Sequence, residues 1–211
     1  MDIENKLVQF IKKYMSEDPT GHDVYHSKRV AKMAKKLVNF DKLTLSEEEV
    51  KILLSASYLH DVIDDKLTES KDIRIKEVEK FLVDNHVDVD AVMDIILNMS
   101  YSDNLKNKKK LSTIGQYVQD ADRLDALGAI GIARAFAYGG HKGNLIYDPE
   151  INIKKDFDKE TYRSQKSTSV NHFYEKLFKL KDLMNTNSGK KIAAKRTAFM
   201  EDFIAEFKEE W

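Results

Sequence analysis

Cysteine is absent from the 211 residues, which excludes disulfides, thiolate metal sites and thiol nucleophiles together. Any metal centre must therefore be built from imidazole and carboxylate. Proline occurs only at Pro19 and Pro149, and eight glycines are the whole supply, so long stretches are left to form helix. Alternating strand patterns are scarce, and all-α is the expected class. No run reaches the roughly eighteen apolar residues of a membrane span, and Met1 to Tyr14 is an amphipathic segment interrupted by acids and lysines rather than a signal peptide. Neither sign of charge dominates, with 35 Lys plus Arg against 36 Asp plus Glu. That balance argues against a stable nucleic-acid complex and does not exclude a small anionic ligand. The expectation is a cytoplasmic protein with no membrane attachment, compatible with a homo-oligomer.

What is present is a chain with 42% hydrophobic and 34% charged residues, enough to build a core under a highly charged surface. No Pro/Gly/Ser tract divides its interior, so residues 1–211 are expected to form one domain. Asp2 to Met15 carries Ile3, Leu7, Phe10, Ile11 and Tyr14 on one stripe, and Pro19 and Gly21 end it. From Asp23 to Phe40 a second stripe of Val30, Ala31, Ala34, Leu37 and Val38 faces inward. His26, four residues before Val30, falls at the edge of that buried face. Ser46 followed by three glutamates predicts an N-cap and an acidic first turn. Further helices are expected over Ile73 to Leu82, Val89 to Met99 and Ile114 to Tyr138, the last broken near Gly128. Asp103 to Lys110 reads as an exposed loop, and Tyr138 to Pro149 as a flexible segment with the composition of a lid. Two long helices, Tyr162 to Met184 and Ser188 to Glu209, are expected to close the chain.

Chemistry concentrates at Tyr58 to Asp65, where one imidazole and three carboxylates follow an apolar helical run. Val50, Leu53, Leu54, Ala56, Leu59, His60 and Ile63 recur at three- and four-residue spacings, which turns His60 inward. His60 pairs with Asp64, and Asp61 with Asp65, at the i,i+4 spacing. A helix C-terminus disfavours each such carboxylate by roughly 0.3 to 1 kcal/mol, and a bound divalent cation reverses that sign. The plainer alternative is a satisfied core histidine beside solvated loop acids.

Two more stretches supply ligand-type groups. In Gly21 to Val30, His22, His26 and Arg29 share a face, and either both imidazoles chelate one ion or His22 lies in the approach turn and only His26 points inward. In Val118 to Asp125 three carboxylates sit among core residues, where charge is costly unless paired. Asp122 and Asp125 share the sector of Val118, while Asp120 is expected to turn away toward Arg123.

The order His26, then His60-Asp61, then Asp122 resembles the H...HD...D signature of the HD-domain metal-dependent phosphohydrolases. Asp120-Ala-Asp-Arg-Leu-Asp-Ala-Leu-Gly-Ala-Ile-Gly131 and His172-Phe-Tyr-Glu-Lys-Leu177 resemble segments of a bacterial subgroup of uncharacterised HD hydrolases, so the likeness spans nearly the whole chain. The resemblance implies a single helical bundle, its C-terminal helices from about residue 162 included, around one or two divalent ions. It implies His26, His60, Asp61 and Asp122 as ligands. Imidazole and carboxylate suit Mn, Fe, Co, Ni, Mg or Zn. Asp64 and Asp65 resemble the acidic pair that orients or deprotonates water in alarmone hydrolases. His22, Arg29 and Lys176 are the expected contacts to a small phosphorylated, nucleotide-like substrate. Alarmone hydrolases carry an Asn four residues beyond the final Asp and an Arg-rich turn before the first His. Here Ala126 and Glu17-Asp18-Pro19-Thr20-Gly21 stand in those places, which argues against guanosine tetraphosphate. The expected function is phosphoester or phosphoanhydride hydrolysis. The competing readings are a catalytically silent metal- and nucleotide-binding sensor and a metal-free helical adaptor.

Overall fold

Ser46 starts the central helix by a local device: its side chain accepts from the amide of Glu49, and the Glu49 carboxylate accepts in return from the amide of Ser46. Helix α3 runs from Glu47 to Leu59, and every residue from Ile52 to Leu59 is buried. A helix covered on all sides needs no amphipathic stripe, and Val50, expected on one, is 37% exposed in the first turn beside the cap glutamates.

The computed structural model describes residues 2–15, 21, 23–63, 70–101, 109–153 and 167–211, which are all-α. Expectations for His22, Asp64 and Asp65, and for most of the loop from Asp103, fall outside the described residues. Two units are distinguished, the first comprising Met1–Asp18 with His22–Ala121 and the second Pro19–Gly21 with Asp122–Trp211.

In the first unit, α1 (Ile3–Ile11), α2 (Val24–Phe40), α4 (Lys71–Asp84) and α5 (Val89–Asn98) accompany α3. Helix α1 is shorter than expected, yet its Leu7, Phe10 and Ile11 are buried. Its Glu4 joins three helices, accepting from Lys35 of α2 at 2.9 Å and from the Tyr58 hydroxyl of α3 at 2.8 Å. Those two bonds keep the Glu4 carboxyl below its ordinary value against the opposing pull of burial. Asp23 caps α2 and Asp88 caps α5 through their side chains.

Helix α6 (Thr113–Asp125) crosses from one unit into the other without a break. It too is covered nearly all round: between Ile114 and Asp125 only Gln116 and Asp122 keep intermediate exposure. Asp120 is therefore fully buried and not turned outward as expected.

The second unit holds α7 (Gly128–His141), α8 (Ser169–Glu175), a 3-10 helix (Leu177–Leu183) and α9 (Asn187–Glu210). The expected break at Gly128 has a backbone cause, since Gly128 adopts φ +78° and opens a new helix after Ala126 and Leu127. Helix α7 continues through His141, so the first residues of the segment expected to be flexible form its last turn. Of the long helix expected from Tyr162 to Met184, residues 162–166 lie outside the described residues. The helix begins at Ser169 after its cap Thr168, and it is interrupted at Lys176, where φ −134° is not helical. Beyond it Leu177, Leu180 and Leu183 recur every third residue, the period of a 3-10 helix. Phe136, Phe173, Phe203 and Phe207 pack ring on ring, with centroid separations of 5.8 to 6.4 Å.

Candidate metal centre

His26 lies in the first turn of α2, fixed there by its amide, which donates to the Asp23 carboxylate at 2.8 Å. The side chain points into the interior and is 2% exposed. His60 is the residue at which α3 stops, and it is 7% exposed. Its Nδ1 stands 3.0 Å from the carbonyl oxygen of Ser57, one turn back on its own helix. A carbonyl only accepts, so Nδ1 carries the proton and the Nε2 lone pair is directed the other way.

Across from it the Nε2 atoms of His60 and His26 face each other at 3.2 Å, with rings edge to face. Asp61 bridges the pair, its Oδ2 3.2 Å from His26 Nε2 and its Oδ1 3.4 Å from His60 Nε2. Asp122 follows Ala121 of the first unit by one residue on the unbroken helix α6. One ligand atom each from His26, His60 and Asp122 lie within 4.8 Å of one another. Three of the four groups expected from the sequence thus meet by that measure, and Asp61 joins them through both imidazoles.

The donor set fits a divalent ion. Two nitrogen lone pairs face to face are stable only around a proton or a cation, and two carboxylates beside them bring a charge that burial penalises unless it is matched. Nitrogens about 2.0 to 2.1 Å from one ion at roughly right to tetrahedral angles are about 2.8 to 3.4 Å apart, a range that includes the 3.2 Å found here. This cluster can hold such an ion.

The remaining expected residues divide. Arg29 is half-buried on α2, three residues after His26. Lys176 lies in the second unit at the junction of α8 with the 3-10 helix, half-buried like His172 one turn before it. Desolvation of the His172 ring, and after it the nearby Lys176 cation, lower its pKa to about 3. Arg123, expected as a partner of Asp120, donates to the Leu183 carbonyl. Sequence reasoning missed the Ser57 carbonyl, which no side-chain pattern announces. It also missed Arg134, whose signal was a lone guanidinium within the apolar run Gly128 to Tyr138.

With this fold and cluster in view, the chain belongs to the HD domain family, whose pattern matches residues 23–127 and so spans His26 through Asp122. Among solved structures, a protein of Lactobacillus plantarum is 41% identical, with a TM-score of 0.85 and coverage of 99% of this chain and 96% of the other. An HD-superfamily hydrolase of Bacillus thuringiensis is 44% identical, with a TM-score of 0.74 and the same coverages. The uncharacterised Bacillus subtilis protein YpgQ is 35% identical over 205 residues, 95% of this chain and 90% of its own length. YpgQ has been solved in complex with ADP, in a structure that matches at a TM-score of 0.75 and 30% identity over 98% of this chain and 97% of the other. Among the described residues no helix is long and apolar enough to cross a membrane.

Proposed function

We propose that the protein is a divalent-metal-dependent phosphohydrolase that cleaves a phosphoester or phosphoanhydride of a small nucleotide-like substrate in the cytoplasm. The observation that carries this reading is the His60 ring, held by Ser57 in the one tautomer that presents Nε2 to His26 and Asp61. The metal ligands in this reading are His26, His60, Asp61 and Asp122. When bound, the ion supplies Lewis acidity toward a phosphoryl oxygen and lowers the pKa of water. Asp64 and Asp65 orient that water or take its proton, as the resemblance implies. His22, Arg29 and Lys176 contact the phosphates, cations and an imidazole being the natural partners of phosphoryl oxygens. The ADP complex of YpgQ supports a nucleotide-like ligand. Residues 1–211 act together as one HD phosphohydrolase, a reading supported by relatives that match across 98 to 99% of the chain.

Phosphate release from a nucleotide panel in the presence of Mn or Co tests the proposal. Turnover falls at least about a hundredfold in His60→Ala if the metal makes its usual contribution. Wild-type turnover in that variant rejects the mechanism. Saturable nucleotide binding without product over hours supports the sensor reading instead.

A further inference from the structure

Beyond the ligand-type residues, the second unit holds a largely buried ion pair, Arg134 with Asp125. Arg134 Nη1 lies 2.8 Å from Asp125 Oδ2, and the two side chains are only 17% and 7% exposed. Asp125 is the last residue of α6 and stands three residues beyond Asp122. Arg134 sits on α7, on the far side of the helix break at Gly128, so the ion pair staples the end of α6 to the next helix. The same guanidinium stem has a second contact. A Cβ built on Gly21 would lie 3.1 Å from Cγ, 3.2 Å from Nε and 3.3 Å from Cδ of Arg134. Gly21 adopts φ +84°, a conformation open to glycine and strained for other residues. Two residues further on, Asp23 caps α2 and bonds the amide of His26. One side chain thus touches both the helix end that carries Asp122 and the approach to the helix that carries His26.

We infer that Arg134 is a positioning residue for the metal centre, acting through Asp125 on Asp122 and through Gly21 on the start of α2. The inference rests on the metal-centre reading above. Groups one step removed from a ligand fix its direction, and losing them typically weakens metal binding about 10- to 100-fold. Arg134→Met keeps the length of the stem and removes the ion pair. Arg134→Lys keeps the charge without the planar fork, and is expected to recover part of what Met loses. Gly21→Ala retains both charges and pushes the stem aside.

The test uses the full chain, with Mn affinity from electron paramagnetic resonance, the visible spectrum of the Co form, and the melting temperature of the metal-free protein. Val78→Ala, a fully buried change on α4 in the first unit and adjacent in sequence to none of the expected ligand residues, serves as a control for general destabilisation. Expected is an Mn dissociation constant about 10- to 100-fold higher in Arg134→Met, a smaller rise in Arg134→Lys, and an altered Co spectrum. Val78→Ala should melt lower and bind Mn like the wild type. Wild-type Mn affinity and Co spectrum in Arg134→Met overturn the positioning role and leave the metal reading intact. Failure of the wild-type chain itself to take up Mn or Co overturns both. If Arg134→Met does not fold, Gly21→Ala decides by the same readings, a raised constant supporting the role and an unchanged one rejecting it.

Discussion

His172 offers a prediction whose size follows directly from its surroundings. Its imidazole is half-buried on α8 with the Lys176 cation one turn away, and these lower its pKa from 6.5 to about 3. Between those values the unfolded chain binds a proton that the folded protein refuses, so stability rises with pH across the window and is lost as pH falls below about 6.5. At pH 5 the unfolded state has gained about 2 kcal/mol from protonating this ring, against about 0.1 kcal/mol at pH 7.5. His172→Gln removes the titrating group and should remove that slope. Trp211 is the only tryptophan and stacks on Phe207 at 5.7 Å, so its fluorescence reports unfolding of the unit that contains His172. Urea melts at pH 7.5 and pH 5, followed at Trp211 with chelator present, should show the wild type losing about 2 kcal/mol more than His172→Gln. Parallel losses in the two proteins would refute the idea that a neutral, desolvated imidazole is built into α8.

The other expectations are briefer. His26→Ala and His60→Ala should each abolish stoichiometric Mn or Co uptake, read by elemental analysis after gel filtration, while His86→Ala should not. Gly131→Ala places a Cβ 2.2 Å from the Ala126 carbonyl oxygen, a backbone atom that cannot step aside, and should cost about 1 to 3 kcal/mol or more in a urea melt. Ser46→Ala breaks the reciprocal cap of α3 and should cost about 1 kcal/mol, with Ser46→Gly losing less.

Features that depend on a few neighbouring residues were legible in the chain itself. The start of α3 is written in Ser46 and Glu49, and the break before α7 in Gly128, because a cap and a left-handed residue are local devices. The inward aim of His26 and His60 followed from helical period alone. Their meeting did not, since they stand 34 residues apart and the spacing of one helix says nothing of its neighbour. There the resemblance supplied the connection that periodicity lacked. Lys176 shows the opposite limit: no proline or glycine marks the change from α-helix to 3-10, and the leucines at every third position fit an α-helical stripe almost as well. Asp120 was misjudged because amphipathic reasoning assumes one wet face, and α6 has almost none. The pairing of Asp125 with Arg134 spans nine residues across a helix junction, beyond the reach of i,i+4 rules.

The bond from His60 to the Ser57 carbonyl ties helix length to ring chemistry. In a longer α3 that carbonyl would be the acceptor sought by the amide of Asp61, so the imidazole occupies the place where another turn would begin. Mutations that encourage the helix to run on would then disturb the ring's proton before they disturbed any ligand, and the site's tolerance to change should be narrowest at residues that never touch an ion.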